Sequence, residues 1–354
     1  MKKVVVIVIF ILAFLGIGIF LVLGWYNNET TRPNSSDSTK ISFEVKIGET
    51  AESVAKKLSD NNLISSADLF LFYVKRSDQS KKIKAGNFLI AKNLSFDQIL
   101  DVLNDPKEKV TKVFFAEGLR ADEIAEALEN IFIKEDKTNF SKKEFLDIVK
   151  NPTKYNLNSV IVTKYLPKGK SLEGFLFPDT YQVDPKSTAL DLVKKFLSNF
   201  ETRFVSIYEA SNKKYSMYDT VNLASIIERE AKGEEEKKNV ADILIKRLDG
   251  KGDGTKLLAV DAPFLYELKN WKYVITNETK AKDSGYNTYK NPGLPATPIS
   301  NPGLDALSSV LNPTKNDYLF YLHGVDGVIR YAKTLGDHTR NIRCYINENQ
   351  SYCN

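Results

Sequence analysis

Histidine and cysteine are nearly absent from this 354-residue chain, which has two of each. His323 and His338 have no second ligand near them in sequence, so no metal centre is expected, and no cofactor is implied. Cys344 and Cys353 both lie near the C-terminus; their spacing permits a small disulfide loop and equally two unpaired thiols, and the sequence leaves both open. An excess of one charge is missing too. Fifty Lys and Arg against 45 Asp and Glu leave a net +5, spread along the chain, with Lys2 and Lys3 supplying two of the positives. That is too mild for a nucleic-acid partner. Apolar residues are not scarce: 42% hydrophobic with 27% charged is ordinary for a chain that builds a core. The length suggests two or three domains.

Charge is wholly absent from Val4 to Tyr26. A helix needs about 20 apolar residues to cross the hydrocarbon core, and a cleavable signal has only about 7–15. The run therefore predicts an uncleaved transmembrane anchor at residues 1–26, in the cytoplasmic membrane. Lys2 and Lys3 precede it and Glu29 is the first charge after it, which predicts a cytoplasmic N-terminus and an outward-facing remainder. Trp25 and Tyr26 suit the outer interface. Residues 27–40 have no apolar periodicity and read as a flexible tether.

Ile41, Phe43, Val45 and Ile47 alternate with polar residues, the pattern of a half-buried strand. A helix over 51–58, a second after the N-cap Ser66, a strand from Gly86, and a helix entered through a Ser95–Gln98 capping box follow. The pattern recurs. Gly48-x-x-Ala51-Glu52-x-Val54-Ala55-x-x-Leu58 matches Gly118-x-x-Ala121-Asp122-x-Ile124-Ala125-x-x-Leu128, and Gly86-x-Phe88-Leu89 resembles Gly174-Phe175-Leu176. Two related units are expected, the second with an insertion near 133–165. From Tyr218 the texture changes: two helices, the second with a buried stripe of Val240, Ile243, Leu244 and Leu248, then long Gly- and Pro-rich loops of the kind that carry function. The boundaries read as 41–108, 109–215 and 216–345, with a tail at 346–354.

On the helix at 221–231, Glu228 shares a stripe with the small residues Ala224, Ser225 and Ala231, beside the apolar face of Leu223, Ile226 and Ile227. A carboxyl so placed is partly desolvated yet reachable, which raises its pKa toward what a general acid needs. Helical geometry alone favours a solvated surface residue. Glu230 points roughly the opposite way and is the weaker candidate.

LASIIEREA resembles the LAS-I-V-E-K-E motif of the endolytic murein transglycosylases of the YceG-like (MltG) family. LEGFLFPDTY at 172–181, ADILIKRL, YNTYKNPGLPATPISNPG and AKTLGDH at 332–338 resemble four further motifs of that family, in order. The resemblance implies an α+β protein: a transmembrane helix, LysM-like α/β subdomains and a C-terminal YceG-like catalytic domain. It assigns the catalytic carboxyl to Glu228. It implies cleavage of the bond between N-acetylmuramic acid and N-acetylglucosamine without water, the muramic 6-hydroxyl closing on its own C1 to leave a 1,6-anhydro end. One carboxyl suffices for that, whereas a hydrolase needs two.

Glu173, Asp179, Tyr181, Ser225, Asp261, Asn287, Thr288, Tyr289 and His338 are the candidates to bind the sugar, although turn chemistry accounts for the first three equally well and a structural hydrogen bond for His338. Partners implied are peptidoglycan strands and the membrane, with peptidoglycan synthases as a class the resemblance leaves open. The chain departs from the family at Ala259, where relatives carry Gln, and at Ile329, where they carry His. The rival readings are a hydrolytic muramidase using Asp261 or Asp179 as second carboxylate, and a non-catalytic wall-binding scaffold.

Overall fold

The structure, a computed structural model, describes residues 2–46, 48–77, 83–104, 111–132, 139–184, 186–251 and 254–347. The chain divides into two compact units, Met1–Val113 with Gln182–Pro185, and Phe114–Tyr181 with Lys186–Asn354. The whole is α+β and mostly helical; among the described residues the strands form three two-stranded sheets.

The first unit begins with helix α1, Lys2–Thr31. Among the described residues no helix is long and apolar enough to cross a membrane. The side chains of residues 2–13, 15 and 19, about half of the apolar run read as an anchor, lie outside that description. Strand β1 (Lys40–Val45), helices α2 (Ala51–Asp60) and α3 (Ala67–Arg76), strand β2 (Gly86–Ala91) and helix α4 (Phe96–Asn104) follow. β1 and β2 pair antiparallel with Phe43 opposite Phe88. The alternation in β1 turns Phe43 and Val45 inward onto Val54, Leu58, Phe70 and Ile99; Ile47 lies outside the described residues. The Ser66 hydroxyl accepts from the Leu69 N–H, and the Ser95–Gln98 capping box is formed in both directions.

The repeat is visible in the order of elements. Strand β3 (Thr111–Phe114), helices α5 (Ala121–Phe132) and α6 (Lys142–Lys150), strand β4 (Thr180–Val183) and helix α7 (Ala189–Phe200) restate β–α–α–β–α, and β3 pairs with β4. Gly48 and Gly118 share a left-handed backbone, φ +80° and +79°, at the same point in each copy. The match of Gly174-Phe175-Leu176 to a strand does not hold: those residues form a buried turn, and the strand starts at Thr180.

In the second unit α7 runs through a wide turn at 201–205 into α8 (Ser206–Glu209). Helix α9 (Met217–Glu230) is the spine. Every residue from Met217 to Ile227 except Asp219 is buried, so its length is set by packing on all sides rather than by one apolar stripe. It packs against α10 (Gly233–Leu248) and, beyond the short helices α11 (Ala262–Glu267) and α12 (Asn277–Ala281), against α13 (Leu304–Leu311). Val240, Ile243 and Leu244 of α10 are fully buried as their spacing predicts, while Leu248 is only partly so. A hairpin of β5 (Phe320–His323) and β6 (Ile329–Ala332) and helix α14 (Leu335–Tyr345) complete the unit. Cys344 on α14 is buried and disulfide-bonded; Cys353 lies outside the described residues.

Candidate active site

The predicted residues sort by what their side chains touch. Six are engaged in holding the chain together. Glu173, 5% exposed, accepts from the Ala121 N–H at the start of α5 (3.0 Å), the Asn301 amide (3.0 Å) and the Tyr266 hydroxyl (3.1 Å). Burial lifts its carboxyl to about 7. Asp179 accepts from Thr180 N–H, Asn199 and Arg203, and the Tyr181 hydroxyl donates to the Phe177 carbonyl. The fully buried Ser225 hydroxyl accepts from the Ile299 N–H (2.9 Å) and donates to the Asn222 carbonyl (2.7 Å). The Asn287 amide donates to the Lys280 and Lys282 carbonyls. The Thr288 hydroxyl donates to Val260 O and accepts from Val260 N, while Thr288 O accepts from Ala259 N. That clamp has a purpose, because Ala259 sits at φ +51°, a left-handed conformation costly for a residue with a Cβ.

Glu228 is tied down as well. Its carboxylate is 2.7 Å from the Lys237 ammonium and accepts from the Gly303 N–H at 3.0 Å; the two side chains are 7% and 5% exposed. Burial pushes the carboxyl up, against the pull of Lys237 and Gly303. Burial likewise disfavours the Lys237 charge, but Glu228 and Glu117 hold its pKa above the ordinary value. The arrangement is a bolt between α9 and α10.

Two residues further, the last turn of α9 carries Glu230 to the other side. The Tyr321 hydroxyl donates to it at 2.9 Å. Burial raises its carboxyl pKa, the Tyr321 hydrogen bond opposes that, and the nearby negative charge of Asp261 adds to it. Asp261 is exposed and accepts from the Tyr289 hydroxyl at 2.6 Å. Arg247 stacks near the rings of Phe320 and Tyr321 while donating to the Leu319 and Leu258 carbonyls. Arg247, Tyr289, Phe320 and Ala259 also line a cavity of about 720 Å³, a size and aromatic content suited to sugar rings. His338 lines it too, stacked on Phe320 at 5.2 Å, its Nδ1 buried without a hydrogen-bond partner in the structure. Burial holds the imidazole pKa low, so the ring is neutral.

Of the predicted residues, then, Tyr289 and His338 meet at this cavity; Asp261 touches it only through the Tyr289 hydroxyl, and neither Glu228 nor Glu230 is among its lining residues. Arg247, Phe320 and Tyr321 were not foreseen. Arg247 stands in the ADILIKRL motif, which was a usable signal; Phe320 and Tyr321, on a short strand without sharp alternation, gave none.

The chain matches the model of the YceG-like family over residues 43–344. It is 28% identical over 332 residues to the endolytic murein transglycosylase of Bacillus subtilis (strain 168), covering 91% of this chain and 89% of that one. It is 27% identical over 347 residues to the endolytic murein transglycosylase of Streptococcus pneumoniae serotype 2 (strain D39 / NCTC 7466), covering 91% of this chain and 61% of that longer one. The crystal structure of a yceG-like protein from Listeria monocytogenes superposes with a TM-score of 0.55 at 28% identity, over 86% of this chain and 99% of that one.

Proposed function

The chain belongs to the YceG-like family, and from that premise we propose that it is a lyase cleaving peptidoglycan glycan strands internally, with Glu228 as the acid/base. The observation that carries the residue assignment is the Glu228 carboxyl of the LASIIEREA motif, 7% exposed, with its pKa raised by burial and with the Lys237 ammonium 2.7 Å away. A protonated Glu228 donates to the oxygen that leaves C1 of the muramic residue. The resulting carboxylate accepts the proton of the muramic 6-hydroxyl as that oxygen bonds to C1. No water is consumed, and the acid ends the cycle protonated as it began. Lys237 and the Gly303 N–H hold the carboxylate in place. Internal cleavage of a nascent strand ends its growth. Residues 4–26 serve as the membrane anchor with the second unit outside; the supports are the uncharged apolar run and the two lysines before it.

Mass spectrometry of strands digested by the full-length protein tests the reaction: 1,6-anhydromuramic ends are expected. A second reading has one observation behind it. Glu117 is half exposed, shares Lys237 with Glu228 and is near enough to raise the Glu228 pKa, so it could serve as base for water in a two-carboxylate hydrolase. Reducing ends in place of anhydro ends would establish that reading and refute the first.

A further inference from the structure

Helix α1 does not end where the apolar run does. It continues to Thr31, and its last turns are fastened to the first unit. Thr30 is 3% exposed, the Tyr26 ring meets Phe72 of α3 edge-on with centroids 5.8 Å apart, and the Ser65 hydroxyl donates to Glu29 at 2.9 Å. Beyond the helix, the Asn34 amide donates to the Asn62 carbonyl at 3.1 Å and Asp37 pairs with Lys92 at 3.3 Å. These contacts also give a direction. Ser65, just before α3, meets Glu29, whereas Phe72, further along, meets Tyr26, which lies nearer the apolar run. Forward along α3 is backward along α1, so α3 descends toward that run. Its last turn carries Lys75 and Arg76, both exposed. Phe72 is 55% exposed, the one large apolar side chain so exposed among the described residues of the first unit beyond α1. A single exposed Phe is ordinary by itself. This one continues a surface: Phe20, Leu21, Val22, Leu23 and Trp25 of α1 are each more than half exposed.

We propose that the first unit sits on the outward leaflet of the membrane, with Phe72 at headgroup level beside Tyr26 and with Lys75 and Arg76 against lipid phosphates. The inference rests on the anchor reading and goes beyond it, because an anchor alone fixes a chain to a bilayer without fixing the height of the unit that follows. Aromatic rings gather at the boundary of water and hydrocarbon. Long cationic side chains one turn further on lay their stems over apolar surface and bring their charge to the phosphates. Held by the last turns of α1 and by Phe72, the unit stands at one height above the lipid rather than free on a tether.

Tryptophan emission of the full-length protein in phospholipid vesicles, with and without bromine high on the acyl chains, tests this. The chain has two tryptophans. A Trp25→Phe, Trp271→Phe background leaves Phe72→Trp as the single probe, and Trp271→Phe alone leaves Trp25. The probe at 72 is expected to lose about half its emission to the brominated lipid and to be shielded from acrylamide in the water. Adding Lys75→Glu and Arg76→Glu should cut that loss about twofold, and an unchanged loss overturns the phosphate contact. Arg76→Trp in the same background reads the same face should Phe72→Trp fail to fold. If Trp25 is quenched by the lipid while the probes at 72 and 76 are untouched by bromine and open to acrylamide, the proposal is overturned and the anchor stands. If Trp25 is itself untouched, the anchor reading is what fails.

Discussion

Replacing each of the two carboxyls at the end of α9 by its amide separates their roles. In Glu228→Gln the amide oxygen can still accept from Gly303 N–H but has no acidic proton to give. Loss of a positioned acid/base costs about 10²–10⁴ in rate, so kcat should fall roughly 10³-fold. Lys237, 5% exposed, also loses its close counter-charge. Breaking a buried ion pair costs about 3–5 kcal/mol. Here Glu117 remains at 3.4 Å, itself half exposed, which should reduce the loss to about 2–3 kcal/mol. For a unit of this size that is roughly 5–10 °C in melting temperature. In Glu230→Gln the amide still fits beside Tyr321, so kcat well below the melt should fall less than about tenfold. The assays are anhydro-end formation by mass spectrometry and thermal melting by circular dichroism. Full turnover in Glu228→Gln below its melt, together with an inert Glu230→Gln, would refute the assignment and make Glu230 the acid.

Three further outcomes are expected. The acid must be protonated to start the reaction, so kcat/KM should fall as pH rises through the elevated Glu228 pKa; Glu117→Gln, by removing a negative neighbour, should move that fall to lower pH, and no movement would show that the two carboxyls do not interact. Glu173 titrates at about 7 in the folded protein against an ordinary 4.5, so the native state binds its proton more tightly. The stabilisation is complete below about pH 4.5 and is lost as pH rises through 7, by about 3 kcal/mol; denaturant melts should show this slope, and Glu173→Gln should abolish it. Gly174 has φ +90°, and a Cβ there would stand 2.6 Å from Val221 Cγ1 and 2.7 Å from Pro298 Cβ. Gly174→Ala should therefore cost about 2–5 kcal/mol, and a melt within a degree or two of the unaltered protein would contradict that packing.

The helices and caps of the first unit were legible because their information is local: Ser66, Ser95 and Gln98 bond within three residues of themselves. The repeat was legible for the same reason, through left-handed glycines and short apolar spacings. The site was only partly so. Glu173, Ser225, Asn287 and Thr288 carry donors and acceptors in loops and beside the candidate acid, which reads as binding, but their partners lie 2 to 128 residues away and are mostly backbone. A sequence shows that a polar group exists and not who satisfies it. The surroundings of Glu228 and Glu230 were hidden in the same way: Lys237 and Gly303 sit on one side of α9 and Tyr321 on the other.

Because Lys237 and the Gly303 N–H hold Glu228 at the end of α9, the aim of its carboxyl is set when the protein folds and does not change between turnovers. The chain then behaves as a fixed blade. Bending toward the cut falls to the polymer, and slack, unstretched glycan is the material such a blade can take.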